Sequence, residues 1–263
     1  YFQWKTWQHQ CFFDDFLSED QVPVSFESTA NILGLGGLRE YPIMELKDLS
    51  VGARTWSDVR VAVNTSNRFP VDHNILPISL FHSSIVDFDF IEAQVHFYDG
   101  RPRRVREKFM STVKYVDTQR LIFAPIKING IRGLALIDTG AQRSFVNPMY
   151  ATQSKAVAVI REQERMQGSD LSRNTAQLYT FRDFRLGAFR AAKTNIPDLQ
   201  TDLFDELGYA DAPMMVIGMD FLQHFRVQID RKRKRITFVQ MITDKRRNRN
   251  RMRTQYNNQI HRQ

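Results

Sequence analysis

Apolar and polar residues alternate with a period of two over much of this chain, which predicts strands. Residues 124–133 show this alternation on both sides of Asn129-Gly130, so we predict a hairpin with its turn at that pair. The next four residues, 134–137, are all apolar. We predict that they form a buried strand ending at Asp138.

The same pattern returns near the end of the chain. Residues 216–222 predict a buried strand that passes through Gly218 into a short helix. Residues 227–230 and 236–238 alternate like the two strands of a closing hairpin, and the basic run 231–235 fits its turn. The pattern as a whole predicts a mainly β protein.

A longer helix is predicted in one place. Residues 148–167 combine alanines and other apolar residues with charged ones, which indicates an inserted helix. Residues 198–212 are polar and acidic, so we expect a loop or a short helix there. The Gly- and Arg-rich stretch 99–104 is typical of a linker.

The residues after the apolar strand carry the candidate chemistry. Asp138 is followed by Thr139, Gly140 and Ala141. Gly140 lacks a Cβ atom, so its backbone can bend sharply and approach another chain, and the Thr139 hydroxyl can both donate and accept hydrogen bonds. The bare Asp-Thr-Gly string recurs by chance, and a strand ending in a polar turn is its simpler explanation. The hairpin before it and the Gly218 segment after it favour a functional site.

This order of motifs resembles the retropepsin-like aspartic proteases over residues 121–240. Their pattern is an apolar strand, Asp-Thr-Gly-Ala, a flap that contains Gly, and two apolar residues plus Gly before a helix. The resemblance implies catalytic roles for Asp138, Thr139 and Gly140, and substrate binding by Ala141, Gln142, Gln167 and Gly168, with the flap near Gly168.

The first half of the sequence repeats the second half. Residues 74–81 align with 215–222 without a gap, and this offset of 141 continues to Phe97 and Phe238. Residues 46–52 align with 181–187 at an offset of 135. Shared alternation between any two β-rich segments is the competing explanation. The aligned Asp, Gly and aromatic residues favour a duplication.

We therefore predict a mainly β fold with two retropepsin-like β-barrel lobes in tandem and a helical insertion in the second. The predicted domains are a degenerate lobe at 1–98, a linker at 99–120, a lobe with Asp-Thr-Gly at 121–242 and a basic, disordered tail at 243–263.

The first copy has no acid at the expected position. Offsets of 134 and 135 from Asp138 lead to Trp4 and Gln3, and Pro77 stands where the second copy has Gly218. The acids at positions 14 and 15 are not followed by Gly, so we interpret them as surface residues.

The resemblance implies an aspartic endopeptidase that hydrolyses peptide bonds with two carboxylates sharing one proton. The chain has one Asp-Thr-Gly, so a second Asp138 would come from the other protomer of a homodimer. The alternative is an inactive, protease-derived binding or scaffold protein. Its basic tail would contact nucleic acid or an acidic partner.

Composition and charge bear on nucleic-acid binding, disulfides, metal sites and membrane spans. The net charge is +8, and seven of the basic residues lie within 243–263. One cysteine allows no internal disulfide and no Cys-rich zinc site, and no two histidines have metal-ligand spacing, so we predict neither metal nor cofactor. No apolar run is long enough to span a bilayer, and no signal-peptide pattern indicates a compartment.

Overall fold

The structure, a computed structural model, describes residues 3–5, 29–51, 54–63, 75–105, 109–118, 120–168 and 173–240. The predictions for the acids at positions 14 and 15 and for the tail at 243–263 lie outside these residues. Strands make up most of the described chain, so the predicted mainly β fold class is confirmed.

Among the described residues up to 98, the first half of the molecule contains seven strands. They are β1 (Gln3–Lys5), β2 (Thr29–Gly34), β3 (Gly37–Val51), β4 (Arg54–Ala62), β5 (Ile75–Pro77), β6 (Ile85–Asp89) and β7 (Gln94–Tyr98). A short 3-10 helix at Ile78–Leu80 follows β5.

The second half, from residue 109 onward, contains the remaining elements. They are β8 (Phe109–Lys114), β9 (Val116–Thr118), β10 (Leu121–Ile128), β11 (Ile131–Ile137), β12 (Phe145–Val146), α1 (Pro148–Gln153), β13 (Val157–Gln167), β14 (Arg173–Leu186), β15 (Phe189–Asp198), α2 (Asp202–Glu206), β16 (Met214–Ile217), α3 (Met219–Leu222), β17 (Phe225–Asp230) and β18 (Arg235–Gln240). The predicted hairpin at 124–133 is confirmed as β10 and β11, and its turn residues Asn129 and Gly130 both have positive φ, as an Asn-Gly hairpin turn requires.

The inserted helix is much shorter than predicted. It covers only Pro148–Gln153, and the rest of the predicted helix is the strand β13. The Asn147 side chain caps the helix by accepting the Tyr150 N–H, and Pro148 suits its first turn. The run from Val157 is rich in β-branched residues and pairs with β14, so tertiary pairing overrides the apparent helical spacing.

The second half is built on an eight-stranded sheet in the order β13-β14-β15-β12-β16-β11-β10-β9. β10 also pairs with β14, so the sheet curls back on itself like a barrel. β11 lies between β10 and β16 and is therefore an interior strand, which is why residues 134–137 can be continuously apolar.

A five-stranded sheet, in the order β7-β6-β17-β18-β8, joins the two halves. Its two hairpins share one register: Val86 pairs with Phe97, and Val227, 141 residues later, pairs with Phe238. β6 and β17 pair antiparallel with Asp87 opposite Gln228. These two residues are themselves 141 positions apart, so exchanging the two hairpins at that offset leaves the pairing unchanged.

The remaining strands of the first half also have counterparts. Ile43 of β3 pairs with Ala62 of β4, and 135 residues later Leu178 of β14 pairs with Pro197 of β15. β1 runs parallel to β5, as β11 runs parallel to β16. β2, β3 and β4 form a three-stranded sheet of their own.

The three larger apolar clusters of the described residues hold these sheets together. The largest is shared by the two halves and contains Phe88 of β6 with Phe181, Phe184 and Phe238. A second cluster, which we call the α2 cluster, is formed mainly by Phe145, Leu199, Leu203, Phe204, Met214 and their neighbours. The third lies in the first half around Met44, Val61, Leu76 and Phe81. A core this extensive supplies the hydrophobic free energy that holds both halves to the shared sheet.

Candidate active site

The strand β11 ends at Asp138. Ile137 is paired in parallel with Ile217 of β16, and the Asp138 N–H continues this ladder by donating to the Ile217 carbonyl at 3.0 Å. The chain then leaves the sheet. Asp138 therefore sits at the carboxyl end of a buried strand, where the ladder fixes its backbone on one side.

The four residues from Asp138 to Ala141 form a tight turn. The Gly140 N–H donates to Oδ1 of Asp138 at 2.8 Å, and the Ala141 N–H donates to the Asp138 carbonyl at 3.3 Å. The exposed fraction is 6% for Asp138 and 7% for Thr139. One oxygen of a buried carboxylate is thus held in a defined direction by the backbone.

The turn is fixed to the segment that follows β16. The Met219 N–H donates to the Ala141 carbonyl at 2.8 Å, and the Asp220 N–H donates to the Gln142 carbonyl at 3.1 Å. A Cβ atom on Gly218 would lie 2.7 Å from the Ala141 carbonyl oxygen, closer than real Cβ contacts. The two backbones can approach this closely because position 218 is glycine.

The Asp220 carboxylate anchors the end of the turn. Its Oδ1 accepts the Ser144 N–H at 2.9 Å and the Ser144 hydroxyl at 2.5 Å. The Ser144 oxygen in turn accepts the Gly218 N–H at 2.9 Å. A carboxylate, a hydroxyl and two amides therefore form one connected network beneath the turn.

Arg143 extends this network to β13. Its guanidinium donates to Asp220 at 3.0 Å and, through Nε, to Glu164 of β13 at 2.9 Å. These contacts raise the pKa of Arg143 above its ordinary value, with the Glu164 hydrogen bond as the largest cause. The ionic chain Glu164–Arg143–Asp220 links the hairpin β13–β14 to the candidate active loop.

The predicted substrate-binding residues lie in two places. Ala141 and Gln142 belong to the turn, and the Gln142 side chain is exposed. Gln167 ends β13 and Gly168 follows it, while residues 169–172 lie outside the described part of the chain. Their neighbour Met166 packs into the α2 cluster, which Ala141 also contacts, so the end of β13 lies near the turn.

Sequence reasoning did not identify the residues that brace the turn. Asp220 follows Gly218 in the motif that was recognised, and Ser144 stands in the motif that begins at Asp138. Their position in these motifs is the sequence signal that could have identified them. Arg143 and Glu164 gave no such signal, because only the folded chain brings β13 against the turn.

One acid near the site has a perturbed pKa. Asp198 ends β15, beside Val146 of β12, and burial raises its pKa to about 6. Its Oδ1 is buried, and the described residues offer it no hydrogen-bond partner. The carboxyl is therefore protonated more readily than an exposed one.

Two further features concern cofactors and membranes. Within the described ranges, no group of three or more His, Cys, Asp or Glu side chains is placed to hold a metal ion. The helices there are also too short and too polar to cross a membrane.

Comparison with known proteins adds a family match. Residues 124–221 match the family model described as Aspartyl protease. This match includes the Asp138 turn, α1, β13–β15 and the Gly218 segment, and it confirms the retropepsin-like resemblance for that part of the chain. No curated protein matches the chain.

The chain is also similar to solved structures. A retropepsin-like aspartic protease from Rickettsia conorii is 14% identical, with a TM-score of 0.36, and the match covers 49% of this chain and 89% of that one. The aspartic proteinase from Irpex lacteus is 12% identical, with a TM-score of 0.48, and the match covers 91% of this chain and 89% of that one.

Proposed function

Because residues 124–221 match the aspartyl protease family, we propose that the chain is an aspartic endopeptidase and that Asp138 activates the water that attacks a peptide bond. The observation that carries this proposal is the Asp138 turn. A buried carboxylate stands at the end of an interior strand, and the Gly140 amide aims one of its oxygens. Polar groups that are held in position before the reaction can stabilise the charge that develops in the transition state.

The proposed substrate is an extended peptide across the turn. Ala141 and Gln142 would contact it on one side, and Gln167 and Gly168 would cover it on the other. The packing of Met166 into the α2 cluster supports this arrangement, because it holds the end of β13 near the turn. Thr139 would contribute its hydroxyl to the contact between the two carboxylate-bearing turns.

A second carboxylate is required by this mechanism. Two carboxylates at close range cannot both ionise, so the pair holds one proton: the ionised member activates water and the protonated member polarises the carbonyl. The chain has one Asp-Thr-Gly sequence. We propose that Asp138 of a second copy supplies the other acid in a symmetric homodimer.

A cleavage assay on an unstructured protein tests the proposal. We expect cleavage at mildly acidic pH, with specific activity that rises with protein concentration as the dimer forms. Asp138→Asn should lower the rate by on the order of 10³-fold, because it removes the general base without changing the side chain's shape. Asp211→Asn, which alters an exposed acid, is the matched control. A wild-type protein that cleaves nothing at any pH or concentration rejects the proposal.

We also propose that the two halves arose by duplication. The support is the register of their strands. The hairpins β6–β7 and β17–β18 correspond at an offset of 141, and β3–β4 and β14–β15 correspond at 135. Shared alternation would not by itself reproduce the pairing partners. A crystal structure in which residues 30–97 and 164–238 do not superpose would contradict the duplication.

The duplication favours a second candidate, a protein that binds peptides or acts as a scaffold without cleaving. The register of β1 supports it. Lys5 lies opposite Pro77, which aligns with Gly218 at the offset of 141. In the second half, Ile137 pairs with Ile217, so the residue that comes opposite Gly218 is Asp138. Strand pairing thus aligns Lys5 with Asp138, where the sequence offsets gave Trp4 or Gln3. Under this candidate, the basic tail at 243–263 would contact nucleic acid or an acidic partner.

One variant separates the two candidates. Lys5→Asp would supply an acid at the matching register position within the same chain. Under the second candidate, wild type sediments as a monomer and does not cleave, and Lys5→Asp gains acid-dependent cleavage. Under the first candidate, wild type already cleaves as a dimer and the substitution adds little.

A further inference from the structure

One end of the five-stranded sheet collects basic residues from three parts of the chain. Strand pairing places one residue of each strand in a single row at this end, namely Tyr98, Ile85, Asp230, Arg235 and Lys114. Residues 99–104 continue from β7 at this end, and the turn 231–234 joins β17 to β18. The exposed basic residues in and beside the row form a surface that we call the basic end: Arg101, Arg103, Arg104, Lys114, Lys232, Arg233, Lys234 and Arg235.

Hydrogen bonds hold these segments together. The Arg233 guanidinium donates to the Gly100 carbonyl at 3.3 Å and to the Asp230 carboxylate at 2.8 Å. The Gln228 amide of β17 donates to the Arg103 carbonyl at 3.1 Å. The segment after β7 and the turn after β17 are therefore joined although more than a hundred residues separate them in the chain. Their charges stand at defined positions on one surface.

The turn itself is anchored from below by Arg231. Its guanidinium donates to the Ile78 carbonyl at 2.7 Å and to the Ser83 carbonyl at 3.2 Å. Its backbone N–H donates to the Ser84 carbonyl at 2.9 Å. Arg231 is therefore used to fix the turn, while the four basic residues that follow it are exposed.

The basic end carries more positive charge than its neighbouring acids neutralise. Asp230 pairs with Arg233 at 2.8 Å, and Asp117 pairs with Lys234 at 2.6 Å. Asp99 is the third acid that adjoins the basic end along the described chain, so an excess of five positive charges remains. Within the described residues, the other six basic side chains form no ion pair.

Two of these side chains face each other directly. Lys114 of β8 and Arg235 of β18 are cross-strand partners, and both are exposed. The Cβ atoms of such partners lie about 5 Å apart, and like charges placed there repel each other. The pair lowers the stability of the free protein, and an anion bound between the two groups would relieve the repulsion. This arrangement indicates a negatively charged ligand.

The opposite end of the same sheet is different. There Arg226 pairs with Asp87 at 2.7 Å and with Asp89 at 3.5 Å, so its charge is matched by acids. β18 ends on that side at Gln240, and the basic run at 243–263 follows it in the chain. The basic end is therefore a separate concentration of charge from the tail considered under the second candidate function.

The composition of the basic end favours phosphate groups over an acidic protein. Five of its eight residues are arginine, whose planar guanidinium can donate two parallel hydrogen bonds to a phosphate. A protein partner would need an apolar centre to bind. Among the large apolar side chains that are exposed in the described residues, only Val116 lies within two positions of the basic end.

The one tyrosine in the row is already engaged. The Arg103 guanidinium lies over the Tyr98 ring, 4.9 Å from its centre, and the Tyr98 hydroxyl donates to Asp87 at 3.3 Å. Single-stranded nucleic acids are bound largely by stacking their bases on aromatic rings. A covered ring offers no such platform, so these contacts favour a duplex, in which the phosphates face outwards.

We propose that the basic end binds the phosphate backbone of a nucleic-acid duplex without reading its sequence. Five strands at a spacing of about 4.8 Å make a row about 19 Å long. This length matches about five phosphates of one strand, which follow each other at about 3.4 Å along the axis. The site lies on the shared sheet and does not use Asp138, so the inference is independent of the proposed protease activity.

Salt-dependent binding of the full chain tests the inference. The probe is a fluorescein-labelled DNA duplex of random sequence and about two helical turns, and anisotropy measures its affinity over a range of salt concentrations. The test variant replaces four unpaired residues of the basic end: Arg101→Gln, Arg104→Gln, Lys232→Gln and Arg235→Gln. The control variant replaces exposed residues on the other sheets: Lys47→Gln, Arg132→Gln, Arg165→Gln and Arg173→Gln. Both variants lose three arginines and one lysine and keep the tail.

Each phosphate contact that is lost should reduce the slope of log affinity against log salt by about 0.9. We therefore expect the test variant to lose about 3–4 from this slope and at least about 10-fold in affinity at about 0.15 M salt. The control variant should bind like wild type. The unfolding midpoint of the test variant should be unchanged or higher, because the repulsion between positions 114 and 235 is removed.

Lysine acetylation locates the contact on the surface. The duplex should protect Lys114 and Lys232 more strongly than Lys47. Equal losses of affinity in the test and control variants would overturn the inference, as would a wild type that does not bind the duplex. Tighter binding of the single strand, or equal binding of poly-glutamate, would also overturn it, because the ligand would then be a different one.

Discussion

The two halves share a strand pattern and differ at positions around the proposed carboxylate site. Position 218 of the second half is Gly, and its N–H donates to Ser144 at 2.9 Å. The corresponding position of the first half is Pro77, which has no N–H to donate. Asp220, which anchors the turn, corresponds to Ser79. The comparison shows that a sequence can keep the pairing of the hairpins without keeping the residues that build the carboxylate turn.

Arg226 should show the largest effect on stability, because it links the halves. It donates two hydrogen bonds to Asp87, at 2.8 and 2.7 Å, and Asp87 is fully buried. Burial would raise the pKa of Asp87, but the hydrogen bonds from Arg226 and Gln228 outweigh it and leave the pKa below its ordinary value. Arg226→Met should cost about 3–5 kcal/mol, because it leaves a buried charge without its partner.

Denaturant unfolding measures this cost. The matched control is Arg185→Met, whose bridge to Asp183 lies on the surface and should contribute about 0–1 kcal/mol. If Arg226→Met unfolds within experimental error of wild type, the shared sheet does not depend on this pair.

The close approach at Gly218 should give the next largest effect. Gly218→Ala places a methyl group against backbone atoms of Ala141 and Arg143, and backbone cannot move aside as a flexible side chain can. We expect a loss of about 2–3 kcal/mol in unfolding free energy, together with lower activity.

Gly208→Ala controls for the general effect of glycine replacement, because a Cβ there meets no atom within 4 Å and only its positive φ is strained. Equal costs at positions 208 and 218 would show that the tight contact does not matter.

Asp220 tests whether the network under the turn stabilises the second half specifically. Asp220→Asn keeps the shape of the side chain but replaces one acceptor by a donor, among two Ser144 groups and Arg143 that all donate. The expected cost is about 1–3 kcal/mol. Amide exchange should accelerate in the turn at 138–144 and remain unchanged in β6 and β7 of the first half. Uniform acceleration in both halves would contradict a local role.

Asp198 should produce the smallest effect, and a pH-dependent one. Burial raises its pKa to about 6, so the folded state favours the protonated form. The stability from this group is complete below the pKa of the unfolded chain and is lost as pH rises through about 6. The corresponding residue of the first half is Val63, which cannot titrate.

Asp198→Asn should therefore remove part of the stability loss between about pH 4 and about pH 6. The gain at neutral pH is about 1 kcal/mol, since the group is only half-buried and solvent screens it. Unfolding curves at pH 4.5 and 7.5 measure it, with Asp211→Asn as the exposed control. A gain of the same size at both pH values would point to a cause other than titration.

Short-range patterns determined much of this protein from the sequence alone. The hairpin at Asn129-Gly130, the apolar strand before Asp138 and the strand-to-helix transition at Gly218 follow from residues adjacent in the chain, because alternation and turn chemistry are local. The offsets of 135 and 141 also come from the sequence, because the aligned residues of the two halves keep a constant spacing.

Long-range pairing decided the rest. Residues 157–167 have apolar spacing that also fits a helix, and only pairing with β14 makes them a strand. The network of Arg143, Glu164 and Asp220 joins residues up to 77 positions apart. The turn between β2 and β3 meets Thr201, at the start of α2, across 166 positions. No local rule relates such residues, because their contacts exist only after the sheets have packed and buried the apolar faces between them.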